Sequence, residues 1–114
     1  MDKLKIEKQI EERLLMLKIS GELDASTAIK LDDEISGALK SNQINILVDC
    51  GGLNYISSAG FGVFVSNIKD LQTRAGKFVL YNLSDNVFET FRILGLNDLL
   101  TIANTEKEAK AFFK

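Results

Sequence analysis

Histidine and proline are both absent from these 114 residues, and cysteine occurs once. Without histidine there is no Ser-His or Cys-His nucleophile pair, no imidazole general base, and none of the histidine ligands common in zinc sites. Without proline there is no stiff linker of the proline-rich kind. The single Cys50 cannot close an internal disulfide, and at the end of an apolar run it reads as a small buried hydrophobe. A net charge of −2 argues against nucleic acid, which usually needs a basic patch. No apolar run approaches the length of a membrane span, and Met1-Asp2-Lys3-Leu4-Lys5 lacks the apolar core of a secretory signal. No catalytic carboxylate pair or Walker-type glycine loop is present, and no Ser-x-x-Lys spacing appears at the paired serines Ser57-Ser58. The expectation is a cytoplasmic protein without membrane insertion, nucleic-acid partner, metal, cofactor or catalytic residue. It is expected to be a monomer when free.

What is present fits one globular domain over residues 1–114, with 46% hydrophobic and 26% charged residues and no internal repeat. Leu4 and Ile6 alternate with lysines and predict a first strand, and the charged residues 7–13 predict a turn after it. A second strand is predicted over 14–19. Its Leu15, Leu17 and Ile19 share one face while Leu14 and Met16 occupy the other, so it is covered on both sides at its start. Ser20-Gly21-Glu22-Leu23-Asp24 reads as a turn. Ala28, Leu31, Ile35 and Leu39 then recur at helical spacing, with Asp24 as a candidate cap.

A third strand is predicted over 44–50, and Gly51-Gly52 is expected to release the chain from the sheet. A helix over about 59–75 carries Phe61, Phe64, Val65, Ile68 and Leu71 on one side and closes with Arg74-Ala75-Gly76. A fourth strand over 78–81 leads to a helix capped at Ser84-Asp85-Asn86, with Val87, Phe88, Phe91 and Leu94 facing the core and Gly95-Leu96 at its end. A short fifth strand falls in 99–103. Thr105-Glu106-Lys107-Glu108 has the form of a capping box, opening a last helix that buries Ala109, Phe112 and Phe113. The fold class is α/β: a mixed sheet of four to five strands, with an antiparallel N-terminal pair and the remainder largely parallel, packed with about four helices.

The chemistry-bearing stretch is Asn54-Tyr55-Ile56-Ser57-Ser58-Ala59-Gly60-Phe61-Gly62-Val63. Serine before the first apolar turn is a helix N-cap signal. It places hydroxyls beside N–H groups that have no intrahelical partner, at the positive end of a helix dipole, where a phosphate is readily accepted. Gly60 and Gly62 each cost a helix roughly 1 kcal/mol against alanine. Close packing on the sheet or close approach of a partner would offset that. Val63 lies off the apolar stripe, where it is expected to be exposed and to offer a contact.

Three pieces carry a family resemblance: Gly21-Glu22-Leu23-Asp24, then Ile46-Leu47-Val48-Asp49 with Leu53-Asn54-Tyr55-Ile56, then Ser58-Ala59-Gly60-Phe61-Gly62-Val63. In these, and in element order over nearly the whole chain, the sequence resembles a STAS domain of the bacterial anti-sigma factor antagonist kind. That resemblance implies binding to an anti-sigma factor that is also a serine kinase, release of a sigma factor, phosphorylation of one serine, and resetting by a metal-dependent serine phosphatase. It places the phosphoacceptor at Ser58, with Ser57 second, and implies a partner surface of Asp24, Ser57, Ser58, Gly60, Gly62 and Val63. Ser57 stands where phosphorylated members commonly carry aspartate, and Ala59 where they often carry serine or threonine. The resemblance also admits a STAS adaptor in a transporter or signalling assembly, without a phosphorylation switch.

Overall fold

The computed structural model describes residues 3–95, 98 and 100–114. Met1 and Asp2, Leu96 (expected to end the third helix) and Leu99 (expected to open the fifth strand) lie outside the described residues. The strands are β1 (Leu4–Glu11), β2 (Leu14–Leu23), β3 (Asn45–Ile56), β4 (Lys77–Tyr81) and β5 (Thr101–Ala103). The helices are α1 (Ala28–Lys40), α2 (Ser58–Thr73), α3 (Asp85–Ile93) and α4 (Glu106–Ala111). The five strands form one sheet in the order β1-β2-β3-β4-β5. β1 and β2 are antiparallel and every other neighbouring pair is parallel. The mixed α/β sheet with an antiparallel N-terminal pair is therefore as expected, with five strands and four helices.

Alternation along the strands divides the apolar residues between two layers. Leu15, Leu17 and Ile19 of β2 join Ile46, Val48 and Cys50 of β3 in the larger core, under α1, α2 and α3. Phe64 is fully buried there between Phe78 and Phe91, with ring centroids 5.8 and 6.3 Å away. Burying a side chain of that size stabilises the fold by about 2–3 kcal/mol. On the opposite face Leu47, Val79 and Ala103 pack under Ala109 of α4, with Leu14 and Met16 at the margin. The first half of β2 is thus covered on both faces, as its sequence predicts. The stripe Ala28, Leu31, Ile35 and Leu39 of α1 is buried as its spacing requires.

Several boundaries differ from the sequence reading. Residues 7–11 continue β1 and do not turn; the turn is Glu12-Arg13, with Glu12 at φ +57°. An edge strand with its side chains in water needs no apolar alternation, so its charges resemble a loop. Ser20 to Leu23 continue β2, and Gly51 to Ile56 continue β3. The glycines there permit close approach and do not end the strand. A Cβ on Gly52 would lie 2.4 Å from Ser20 Oγ, and one on Gly51 2.3 Å from Asn82 Nδ2. Lys18 and Ser20 pair with Asp49 and Gly52, and Gly21 and Glu22 with Leu53 and Tyr55. β3 therefore carries an extra residue at each of two bulges, which bend it toward the loop that follows.

The helix ends also differ. The left-handed residue closing α2 is Ala75 (φ +58°), while Gly76 is needed because a Cβ there would sit 2.3 Å from the Ile44 carbonyl oxygen. Arg74 donates to the Leu39 carbonyl, joining the C-terminal ends of α1 and α2 at 2.7 Å. On α3 only Val87 and Phe91 are buried; Phe88 and Leu94 are exposed. A nine-residue helix set on one i, i+4 pair leaves the flanking apolar positions outward. Ser84 caps it as expected, accepting from the Val87 N–H. At α4 Thr105 accepts from the Glu108 N–H, while the Glu108 carboxylate reaches back to the Asn104 N–H and not to that of Thr105. Phe113 packs against the smaller core and Phe112 is exposed, the reverse of a full apolar end. The helix stops at Ala111, and the Phe112 carbonyl is held by Lys77 Nζ at 2.6 Å.

Candidate functional site

β2 and β3 run parallel and end side by side, Leu23 opposite Ile56. The Ser57 N–H donates to the Leu23 carbonyl at 2.9 Å, fastening the loop after β3 to the loop after β2. The residues that follow are Asp24 on one loop and Ser58 on the other. The two predicted loops therefore meet at the C-terminal edge of the sheet, where parallel strands place their binding loops.

Asp24 does not cap α1, whose N-cap position is Thr27. It organises the turn before the helix. Its Oδ1 accepts from the Ser26 N–H at 2.9 Å, from Ser26 Oγ–H at 2.7 Å and from the Thr27 N–H at 3.2 Å. Its Oδ2 accepts from Lys3 Nζ at 2.7 Å. Thr27 Oγ1 completes the turn by accepting from the Asp24 N–H and donating to the Glu22 carbonyl, both at 2.9 Å. The Lys3 ammonium, followed by the Ser26 donors, holds the Asp24 carboxyl well below the usual carboxylate range, and the same contact raises the Lys3 ammonium. Because the folded-state pKa of Asp24 is depressed, its contribution to stability is present above the ordinary aspartate pKa of about 3.9. It is lost as the pH falls through the folded-state value. Lys3→Met is expected to move the Asp24 titration upward, read by NMR of the carboxyl carbon. An unchanged titration would show that the turn alone sets it.

Ser57 occupies the N-cap position of α2 with extended backbone (φ −101°, ψ 175°), but its side chain makes no capping bond. Its Oγ is buried and, among the described residues, has no hydrogen-bond partner. Ser58, one residue on, is the first residue of α2 and is exposed. The first turn of α2 holds no acidic residue, and its leading N–H groups receive nothing from Ser57. The two glycines separate in role. A Cβ on Gly60 would meet Leu23 Cγ at 2.7 Å, so Gly60 lets α2 seat on β2. Gly62 is exposed, one helical turn from Ser58, and a Cβ there would meet nothing within 4 Å. Val63, expected to be exposed, is half-buried against the larger core. Apolar packing between α1 and α2 widens the buried arc of α2 beyond its main stripe.

A family model for the STAS domain matches residues 5–109. The chain belongs to the STAS family. An anti-sigma-B factor antagonist of Listeria monocytogenes is 38% identical to this STAS domain over 90 residues, covering 79% of each chain. Among solved structures, an anti-sigma factor antagonist from Mycobacterium paratuberculosis superposes with a TM-score of 0.85 at 17% identity, over 95% of this chain and 92% of that one. The Bacillus cell fate determinant SpoIIAA in its phosphorylated form superposes with a TM-score of 0.72 at 24% identity, over 97% and 99%. At those identities the two structures establish likeness of fold.

Sequence reasoning missed two residues of this STAS domain that shape the site. Lys3 reaches Asp24 from the position just before β1, and no local pattern signals a contact across 21 positions. Asn67 is buried, donating to Asp32 Oδ1 at 3.0 Å and to the Val63 carbonyl at 2.7 Å, so it locks α2 against α1. Its signal was available: Asn67 falls between Phe64 and Leu71 on the buried stripe, where a polar residue needs a partner. Among the described residues no group of three or more His, Cys, Asp or Glu is placed to hold a metal ion, and no helix is long and apolar enough to cross a membrane.

Proposed function

We propose that this STAS domain is an anti-sigma factor antagonist. It binds an anti-sigma factor that is also a serine kinase, and its release is triggered by phosphorylation of Ser58. The relatives' names support the class of function, and the geometry supports the residue. The observation that carries the assignment is the contrast between the serines: Ser58 is exposed at the start of α2, while the Ser57 hydroxyl is buried. In the transfer, Ser58 Oγ attacks the γ-phosphorus of ATP bound by the kinase, the hydroxyl proton is lost, and ADP leaves. A metal-dependent phosphatase hydrolyses the ester and restores the hydroxyl. Asp24, on the loop fastened to the one that leads into Ser58, presents its ion pair with Lys3 to the partner, and the lack of a side chain at Gly62 lets the partner approach the helix backbone.

The test is intact-protein mass spectrometry after incubation with the host's anti-sigma factor and ATP. One phosphate is expected on the unaltered chain and on Ser57→Ala, and none on Ser58→Ala. Phosphate persisting on Ser58→Ala, or lost from Ser57→Ala while the fold is intact, would overturn the assignment.

A further inference from the structure

β1 is an edge strand of eight residues, paired with β2 on one side only. Its sequence, Leu4-Lys5-Ile6-Glu7-Lys8-Gln9-Ile10-Glu11, is self-complementary when read against itself in the antiparallel direction. Centred on Lys8, such a pairing sets Ile6 opposite Ile10, Lys5 opposite Glu11 and Glu7 opposite Gln9. Two-fold symmetry repeats each pair. The structure leaves these side chains available. Ile10 is 56% exposed and Ile6 is only partly buried. Among the described residues Lys5 pairs only with Glu7 of its own strand, with both exposed, and Glu11 approaches Lys110 no closer than 3.9 Å. Lys8, at the centre, is paired with Glu34 of α1 at 3.5 Å, which offsets the repulsion between two central lysines. A groove between β1 and α1, floored by Leu15 and open at Gly37, lies beside Ile10.

We propose that two copies of this chain associate through their β1 edges, joining the two sheets into one continuous ten-stranded sheet. Edge strands are usually blunted by charge. Here the charges alternate in sign, so they oppose most foreign strands but match the chain's own antiparallel copy. Main-chain hydrogen bonds supply the attraction, and the Lys5–Glu11 and Ile6–Ile10 pairs set the register. The contact is small, so the dimer is weak and concentration-dependent. It leaves the C-terminal edge of the sheet, with Asp24 and Ser58, open on both copies. This differs from the free monomer expected from the sequence.

Sedimentation equilibrium of the full chain over a range of concentrations tests it. A reversible monomer–dimer equilibrium is expected. Glu11→Lys and Lys5→Glu should each weaken it by about tenfold, because each turns two symmetric attractions into repulsions. The double variant Lys5→Glu with Glu11→Lys should restore it. Far-UV circular dichroism confirms that each variant is folded. A chain that stays monomeric at about 1 mM, or a dimer that the single reversals leave unchanged or the double variant fails to restore, would overturn the proposal.

Discussion

Ser58→Asp is expected to weaken binding to the anti-sigma factor by about 100-fold, while leaving the domain as stable as the unaltered protein or slightly more so. The two effects have opposite signs because the same charge meets two environments. Within the domain, position 58 begins a 16-residue helix whose first turn has no acidic residue and whose N-cap side chain makes no bond. A carboxylate there faces unpaired N–H groups and the positive end of the dipole, which is worth about 0.3–1 kcal/mol of stability. In the proposed complex, the partner covers Ser58 to transfer a phosphoryl group to it. A charge introduced there is desolvated in the interface, and the nearby Lys3 ammonium is already engaged by Asp24. Leaving such a charge buried and unpaired costs about 2–5 kcal/mol, of which about 2.7 kcal/mol is the 100-fold expected. Phosphate, with about −1.5 to −2 charges, has the larger effect of the same sign. Calorimetric titration against the anti-sigma factor, paired with urea denaturation of the free variants, separates the two terms. A variant that binds as well as the unaltered protein would remove charge as the basis of release. One that loses binding only because it has unfolded would show in the denaturation curve.

The parts of this molecule that were legible in its sequence are those where one face is buried and the other is wet. α1 shows its core stripe without error because its polar residues are solvated. The strand cores of β2 and β3 are covered on both faces and read correctly from their alternation instead, with Leu15, Leu17, Ile46 and Val48 on one side and Leu14, Met16 and Leu47 on the other. The errors fall where local chemistry has two structural uses. Charges on residues 7–11 belong equally to a turn and to an exposed edge strand, and only the pairing with β2 decides. Gly51 and Gly52 belong equally to a loop and to a bulged strand pressed against Ser20 and Asn82. At the site, sequence located the two serines and Asp24 but could not tell the serines apart by chemistry. The distinction is the depth of one oxygen atom, set by how α2 leaves the bulged end of β3. Only the capping reading of Asp24 was mistaken: Asp24 orders the turn before α1 and holds Lys3, and that contact depends on the antiparallel return of β1.

Gly21→Ala is expected to cost about 3 kcal/mol of stability, the largest loss anticipated for adding a single methyl group to this fold. Gly21 lies in the interior strand β2, paired with Leu4 on one side and Leu53 on the other. Its φ of +109° is a conformation that side-chain-bearing residues rarely adopt, worth about 1–3 kcal/mol of strain. A Cβ there would also lie 2.0 Å from the Lys3 carbonyl oxygen, which is backbone and fixed by the Glu22 N–H at 2.8 Å. Relief requires the start of β1 to move away, giving up that bond and drawing Lys3 from Asp24. The substitution therefore carries a signature that a generic core defect lacks. Chemical denaturation should show the stability loss, and the Asp24 carboxyl should titrate upward toward the ordinary range under conditions where the variant is still folded. By contrast, alanine at Gly37, where a Cβ meets nothing within 4 Å, adds a methyl group to a helix of the same domain at no steric cost. A Gly21→Ala loss below about 1 kcal/mol, with the Asp24 titration unmoved, would mean that β2 can flatten at this point without disturbing β1. The close passage of Lys3 over Gly21 would then have no part in holding the loop that carries Asp24 beside Ser58.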